Sequence, residues 1–293
     1  MFMLPVVVIG IASALVYGAA DFLGGLAAKR MSAVLTAAIS ALVGLAALLL
    51  ALPLVGGTWS GDAVLLGALS GISGAVAIGL LYACLAIGPM SILSPLTAVV
   101  SAIVPLTVAL AGGDRLGPLG YIALGLAIVA IVLVGFVPEK HAVRPSLKGV
   151  LMAIGSGTAI GVFLILIDAT PDDSGLVPLV ANRAVSSALM FTVVGVLAFL
   201  AWRRRDGAAN PEGGAWKAGL RFAIACGVLD ALANTGLLLG MRLGELTVIS
   251  VLTALYPAGT IILAAIVLKE RIAALQYVGL ALAIIAGAML ALA

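Results

Sequence analysis

The segment from Gly88 to Ala130 recurs from Gly244 to Ala286 without a gap, every position displaced by 156 residues. About a third of the paired positions are identical, among them Gly88/Gly244, Ser94/Ser250, Thr97/Thr253, Arg115/Arg271 and Tyr121/Tyr277. A period this long is not that of a solenoid, whose units are a few tens of residues. It marks a duplicated half, so whatever the first half folds into, the second must fold into as well.

The solvent of that fold follows from composition. With 64% hydrophobic and 9% charged residues and a mean hydropathy of +1.32, a chain of 293 residues cannot hide its apolar surface in one water-facing core. The expected fold class is an all-α integral membrane protein with the lipid bilayer as its surroundings. Duplicated halves in chains of this kind are the usual build of secondary transporters. Both cysteines, Cys84 and Cys226, fall in apolar stretches and read as packing residues rather than a disulfide framework. The one histidine, His141, sits in a polar loop, which leaves no His/Cys metal site and no His-based catalytic pair.

A spanning helix takes about 20 predominantly apolar residues. On that criterion ten spans are predicted, at 4–28, 33–53, 63–86, 91–112, 118–137, 149–168, 176–201, 217–240, 246–268 and 273–291. Residues 139–148 form the natural linker between a first repeat, 1–138, and a second, 149–293. Five spans per repeat is an odd number, so the second repeat enters from the opposite side and the two five-helix repeats are inverted.

Lys and Arg set the orientation. One face collects Lys29, Arg30, Lys140, Arg144, Lys148, Arg203, Arg204, Arg205, Lys217, Arg221, Lys269 and Arg271, and the other only Arg115 and Arg242, with Asp62, Asp114, Asp172 and Asp173. The positive-inside rule makes the first face cytoplasmic and both termini external. Because the first basic residues follow the first span, a cleavable signal peptide is not expected.

The run Leu252-Thr253-Ala254-Leu255-Tyr256-Pro257, followed by Leu268-Lys269-Glu270-Arg271 and Gly279, resembles the signature of EamA-type domains of the drug/metabolite transporter superfamily. The first repeat departs from it: Asp114-Arg115 stands where Glu-Arg is usual, Ser101 occupies the place of Pro257, and a proline comes at Pro105 instead. The resemblance covers the whole chain. It implies a ten-helix carrier whose central cavity is lined by helices 1 to 4 and 6 to 9, with helices 5 and 10 peripheral. Bacterial amino-acid exporters, including those for aromatic amino acids, look most similar, which places the protein in the inner membrane with periplasmic termini. Multidrug, nucleotide-sugar and triose-phosphate carriers share the fold, and the motifs alone do not separate these substrates.

Ionisable residues inside spans are costly and mark functional sites by default. Arg183 in span 7, Asp230 in span 8 and Asp21 in span 1 qualify. At 1.5 Å per residue, Arg183 lies about 10 Å and Asp230 about 15 Å from the outer ends of their helices, so they can pair across neighbouring spans. Two roles compete: recognition of a substrate carboxylate by Arg183 and an amino group by Asp230, or an ion pair that only fixes packing. Asn234 and Cys226 each lie one turn from Asp230 and extend a polar stripe. Asp21 and Asp230 are the candidates for proton coupling, although Asp21 also fits a solvated residue near a helix end.

Tyr17, Tyr82, Phe163 and Tyr256 are candidate pocket walls, and Ser94 a candidate polar contact. Each taken alone also fits plain packing. Pro95 and Pro105 in span 4 and Pro257 in span 9 are candidate hinges, with Ser94, Thr97, Ser101, Ser250 and Thr253 placed to satisfy freed carbonyls. Small-residue pairs such as Gly67/Gly71 and Gly157/Gly161 are expected to pack helices within one chain, and a monomer is expected. No HExxH, P-loop or Ser/His pair supports an intramembrane enzyme; no cofactor and no nucleic-acid partner are called for. A channel could use the same bundle, but inverted duplication favours alternating access on a small-molecule substrate.

Overall fold

The computed structural model describes residues 3–87, 90–113, 115–135, 146–204, 213–244, 246–267, 269 and 273–292. Among these the regular structure is helical, with no strand. The first half comprises α1 (Met3–Ala28), α2 (Ala33–Val55), α3 (Gly61–Ile87), α4 (Met90–Gly112) and α5 (Pro118–Gly135). The second comprises α6 (Leu147–Asp168), α7 (Val177–Arg204), α8 (Gly213–Leu243), α9 (Leu246–Thr253), α10 (Tyr256–Val267) and α11 (Ala274–Leu292). Among the described residues seven helical stretches are long and apolar enough to cross a membrane: Leu4–Ala28, Ala33–Val55, Gly61–Leu81, Leu147–Asp168, Val177–Arg203, Trp216–Leu243 and Leu246–Val267. Leu96–Gly112, Pro118–Leu133 and Ala274–Met289 are shorter apolar helices. The outer surface is apolar as lipid requires, with Leu50 78%, Leu54 88% and Ile284 73% exposed.

Helix starts carry the expected punctuation. Ser32 and Ser146 accept hydrogen bonds from Leu35 N (3.2 Å) and Gly149 N (3.1 Å), which satisfies one otherwise orphaned donor at the start of α2 and of α6. Pro53 sits in the last turns of α2, and Gly56 ends it at φ 80°, a conformation that disfavours a side chain.

Packing is close because small residues line the crossings. A Cβ at Gly18 of α1 would stand 2.5 Å from Tyr256 O and 2.6 Å from Gly259 Cα, so α1 and α10 touch backbone to backbone. Gly67 and Gly71 of α3 meet the backbones of Pro178 and Asn182 of α7 in the same way, and Gly157 of α6 meets Thr97 O of α4. These small-residue stripes pack within the chain, as expected.

The same contacts fix the sense of each pairing. Ser13 lies against Gly236 and Gly24 against Cys226, so α1 and α8 are antiparallel. Ser73 Oγ donates to Ala159 O (2.7 Å) and Ser156 Oγ to Ala77 O (2.8 Å), so α3 and α6 are antiparallel as well. α4 runs parallel to α6, α3 to α7, and α2 to α8, where Ser40 Oγ donates to Ala223 O (3.0 Å) and Gly44 faces Gly227. α5 packs against α11.

Span 9 is broken. α9 ends at Thr253 and α10 starts at Tyr256, and between them the ladder tightens to Leu255 N→Leu252 O (3.1 Å) and Ala258 N→Leu255 O (2.9 Å). Pro257 has no N–H to give to Thr253 O, which is the local cause of the break. α4 differs from expectation: it is continuous across Pro95 and Pro105. The hydroxyls also do something other than expected. Thr253 Oγ1 donates to Ile249 O (2.7 Å), Ser250 Oγ to Thr247 O (3.2 Å), Thr97 Oγ1 to Leu93 O (3.0 Å) and Ser101 Oγ to Ala98 O (2.8 Å). Each goes to a carbonyl one turn upstream of itself, the short-range partner always within reach, rather than to one freed by proline.

At the end of the bundle opposite Lys29, two loops interlock. Thr58 N donates to Asp173 O (2.9 Å), Thr58 Oγ1 to Asp173 Oδ2 (2.6 Å), and Leu176 N to Gly56 O (3.2 Å). Arg242, at the end of α8, donates to Asp168 O (3.3 Å), Asp172 Oδ1 (3.2 Å), Thr170 Oγ1 (2.5 Å) and Pro171 O (3.1 Å). One guanidinium thereby holds the α6–α7 connection to α8.

Candidate functional site

Four helices bring the polar residues together at mid-depth. Asp230 of α8 and Arg183 of α7 form a salt bridge, with side chains 25% and 12% exposed. The depth match expected from sequence is thus realised across neighbouring helices. Gly44 of α2 lies alongside: a Cβ there would stand 3.3 Å from Gly227 O and in ordinary contact with Arg183 Cδ (3.6 Å) and Nε (3.7 Å). Asn234, buried one turn along α8, donates from Nδ2 to Asp230 O (2.7 Å). Cys226, one turn the other way, is a free thiol beside Ser40 of α2.

Asp21 joins this cluster from α1. The charge of Asp230 acts on it, its own charge acts on Tyr256, and Tyr17 lies within electrostatic range of Asp21, Asp230 and Arg183 together. Tyr17 and Tyr256 are both partly buried against the main apolar core. Four-residue spacing puts Tyr17, Asp21 and Gly25 on one stripe of α1, turned away from the lipid-exposed Leu4, Val8 and Leu15. Along that stripe Asp21 and Gly25 are exposed, and a Cβ at Gly25 would meet nothing within 4 Å. Away from the Lys29 end α9 is buried along its whole length, with Ile249 and Leu252 packed on Gly10 and Gly240. At this end the described helices pack closely.

Other expected residues fall outside this cluster. Phe163 stands on α6, partly buried against the core. The side chains of Tyr82, Ser94, Pro95 and Cys84 lie outside the described set, as do residues Asp114, His141, Glu270 and Arg271. Among the described residues no group of His, Cys, Asp and Glu could hold a metal ion. Two features escape sequence reading. Asn182, next to Arg183, donates to Ser70 Oγ (2.8 Å) and ties α7 to α3 in the buried interior. Ser187, one turn beyond Arg183 on the same face of α7, is buried with its hydroxyl oxygen unpartnered. Neither stands out in a sequence where small polar residues are common and only burial makes one unusual.

Chemically the cluster holds two carboxylates against one guanidinium, with two phenols nearby. It can bind a small polar molecule; it offers no nucleophile paired with a base.

Among curated proteins none matches the chain in sequence. In fold, 29 chains of solved structures match; one, titled only as the crystal structure of a protein, superposes with a TM-score of 0.68 at 17% identity over 97% of both chains, a likeness of fold alone. The model of the EamA-like transporter family matches residues 147–292, the second of the two halves read from the internal repeat. The protein is a multi-pass membrane protein of that kind: the chain belongs to the EamA-like transporter family, within the drug/metabolite transporter superfamily.

Proposed function

We propose that the protein is a secondary transporter that exports small metabolites, amino acids including aromatic ones first among them, from the bacterial cytoplasm by alternating access. The observation that carries this reading is the Arg183–Asp230 ion pair, set well inside two long apolar helices. Arg183 meets the substrate carboxylate while Asp230 holds the guanidinium, and Tyr17 and Tyr256 wall the apolar part. Ten spans in two inverted halves, 1–138 and 149–293 joined by 139–148, supply the motion. Supporting this, α3 and α6 are antiparallel, as are α1 and α8, while α2 follows α8 and α7 follows α3; exchanging the halves maps this set of pairings onto itself. The senses also leave α1 and α6 running oppositely.

A nucleotide sugar is a poorer fit. Its diphosphate brings several negative charges and needs more than one cation, and the cluster offers the single guanidinium of Arg183, shared with Asp230. The test is counterflow in proteoliposomes loaded with amino acids, nucleotide sugars or cationic drugs. Saturable exchange of amino acids is expected; exchange confined to nucleotide sugars would refute the assignment, and unsaturable flux would indicate a channel.

A further inference from the structure

Hydrogen bonds between helices sort the described bundle into two sets. Ser73, Ser156, Thr97 and Asn182 join α3, α4, α6 and α7 to one another, while Ser40 joins α2 to α8 and Thr260 joins α10 to α1. Breaking any of these within an apolar bundle orphans a polar group, so each set holds together. At the end opposite Lys29 the bonds are of another kind. There the α2–α3 connection, residues 56–60, and the α6–α7 connection, residues 169–176, form a clasp that ties the end of α2 to the other set. Thr58 N and Oγ1 both donate to Asp173 O (2.9 and 3.1 Å), Thr58 Oγ1 also donates to Asp173 Oδ2 (2.6 Å), and Leu176 N donates to Gly56 O (3.2 Å). The contact is backbone on backbone, since a Cβ at Gly57 would run into Ser174 O and one at Gly175 into Gly56 O. Thr58 and Asp173 are exposed, so water takes over their bonds at little cost when they part. Closure carries a cost of its own. Ser174 is fully buried in the clasp with its hydroxyl oxygen unpartnered, and parting the loops gives that oxygen water. Bonds that exchange readily with water, beside a group that closure leaves unsatisfied, suit a contact that forms and breaks rather than a permanent seam.

We infer that the Thr58–Asp173 clasp is a latch: it shuts the end of the protein opposite Lys29, and it parts when that end opens. Arg242 of α8, bound to the same α6–α7 connection, reinforces it from the second set. The inference rests on the transport reading above and adds to it the contact at which the two sets separate.

The test uses two full-length variants in proteoliposomes. Thr58→Cys with Asp173→Cys places two thiols on backbones that already lie within hydrogen-bond distance, where an oxidant can join them. Oxidation is expected to lower counterflow about tenfold or more and dithiothreitol to restore it, while the same oxidant leaves the parent, with its own Cys84 and Cys226, and each single variant at their starting rates. Undiminished counterflow in the cross-linked protein would overturn the inference, because the loops would then ride together through the whole cycle. The second variant acts in the opposite direction and needs no transport. Gly57→Ala pushes the loops apart without touching the ion pair, and it is read by maleimide labelling of Val180→Cys, a position buried on α7 between Leu176 and Arg183. Labelling about fivefold faster than in Val180→Cys alone is expected, the shift that accompanies loss of one ordinary hydrogen bond; an unchanged rate also overturns the latch. Should one variant fail to fold or to cross-link, the other decides. The transport reading fails separately, if the parent shows no counterflow of any loaded substrate while Gly57→Ala still speeds the labelling.

Discussion

Arg183 reaches Asp230 where α2 passes alongside at Gly44, so three helices meet at one ion pair. Breaking such a pair leaves a charge without compensation, at about 3 kcal/mol or more where burial is deep; with side chains 12% and 25% exposed, the lower part of that range applies. Arg183→Gln and Asp230→Asn should each lower the melting temperature and abolish amino-acid counterflow. The double variant should recover much of the stability and none of the transport, because it removes both charges together. Recovered transport in the double variant would reduce the pair to a packing device. Thermal unfolding and counterflow on the same preparation decide this.

At the scale of elements, the broken span 9 and the interlocked loops are the parts built to move or to hold. Thr260 Oγ1 donates to Gly18 O (3.1 Å), and the Gly18–Gly259 contact presses the start of α10 onto α1, so a bend between α9 and α10 can tilt α9 while α10 stays anchored. Pro257→Ala restores a donor to Thr253 O and should straighten the span. Binding is then expected to persist while exchange slows several-fold, since the cluster residues are untouched. Equal counterflow in variant and parent would leave Pro257 as a packing feature. Arg242 acts on the opposite process. Its hydrogen bonds keep the α6–α7 connection on α8 where the bundle is closed. Arg242→Ala should shift the population towards opening at that end, read as faster labelling of a cysteine placed at Ala14, buried on α1 beside the site. Unchanged labelling would show that apolar packing of α9 alone keeps this side shut.

For the whole molecule, charge distribution and helix sense make one joint statement. Arg30 of the α1 end lies 4.7 Å over the Phe222 ring near the start of α8, so the basic residues Lys29, Arg30, Lys217 and Arg221 gather at one end of the bundle. By the positive-inside rule that end is expected to lie in the cytoplasm. A topology reporter fused after Ala293 should then report from the periplasm; a cytoplasmic signal from an active fusion would refute the orientation.

Helices, their surroundings and the duplication were legible in the sequence because each rests on local composition or on self-similarity: long apolar runs must hydrogen-bond their own backbone in lipid, and a repeated segment repeats its fold. Arg183 and Asp230 were legible too, since a charge within an apolar run stands out without any structure. Tertiary structure alone decided which of these residues meet. Asp21 joins Asp230 only through the antiparallel packing of α1 on α8, Phe163 is carried to the core by α6, and Arg242 acquires its loop partners at the far end of α8. It also decided that Pro257 breaks its span while Pro95 and Pro105 leave α4 continuous. Proline removes the same donor wherever it stands, but whether the chain breaks there depends on the packing around it, which the sequence does not display.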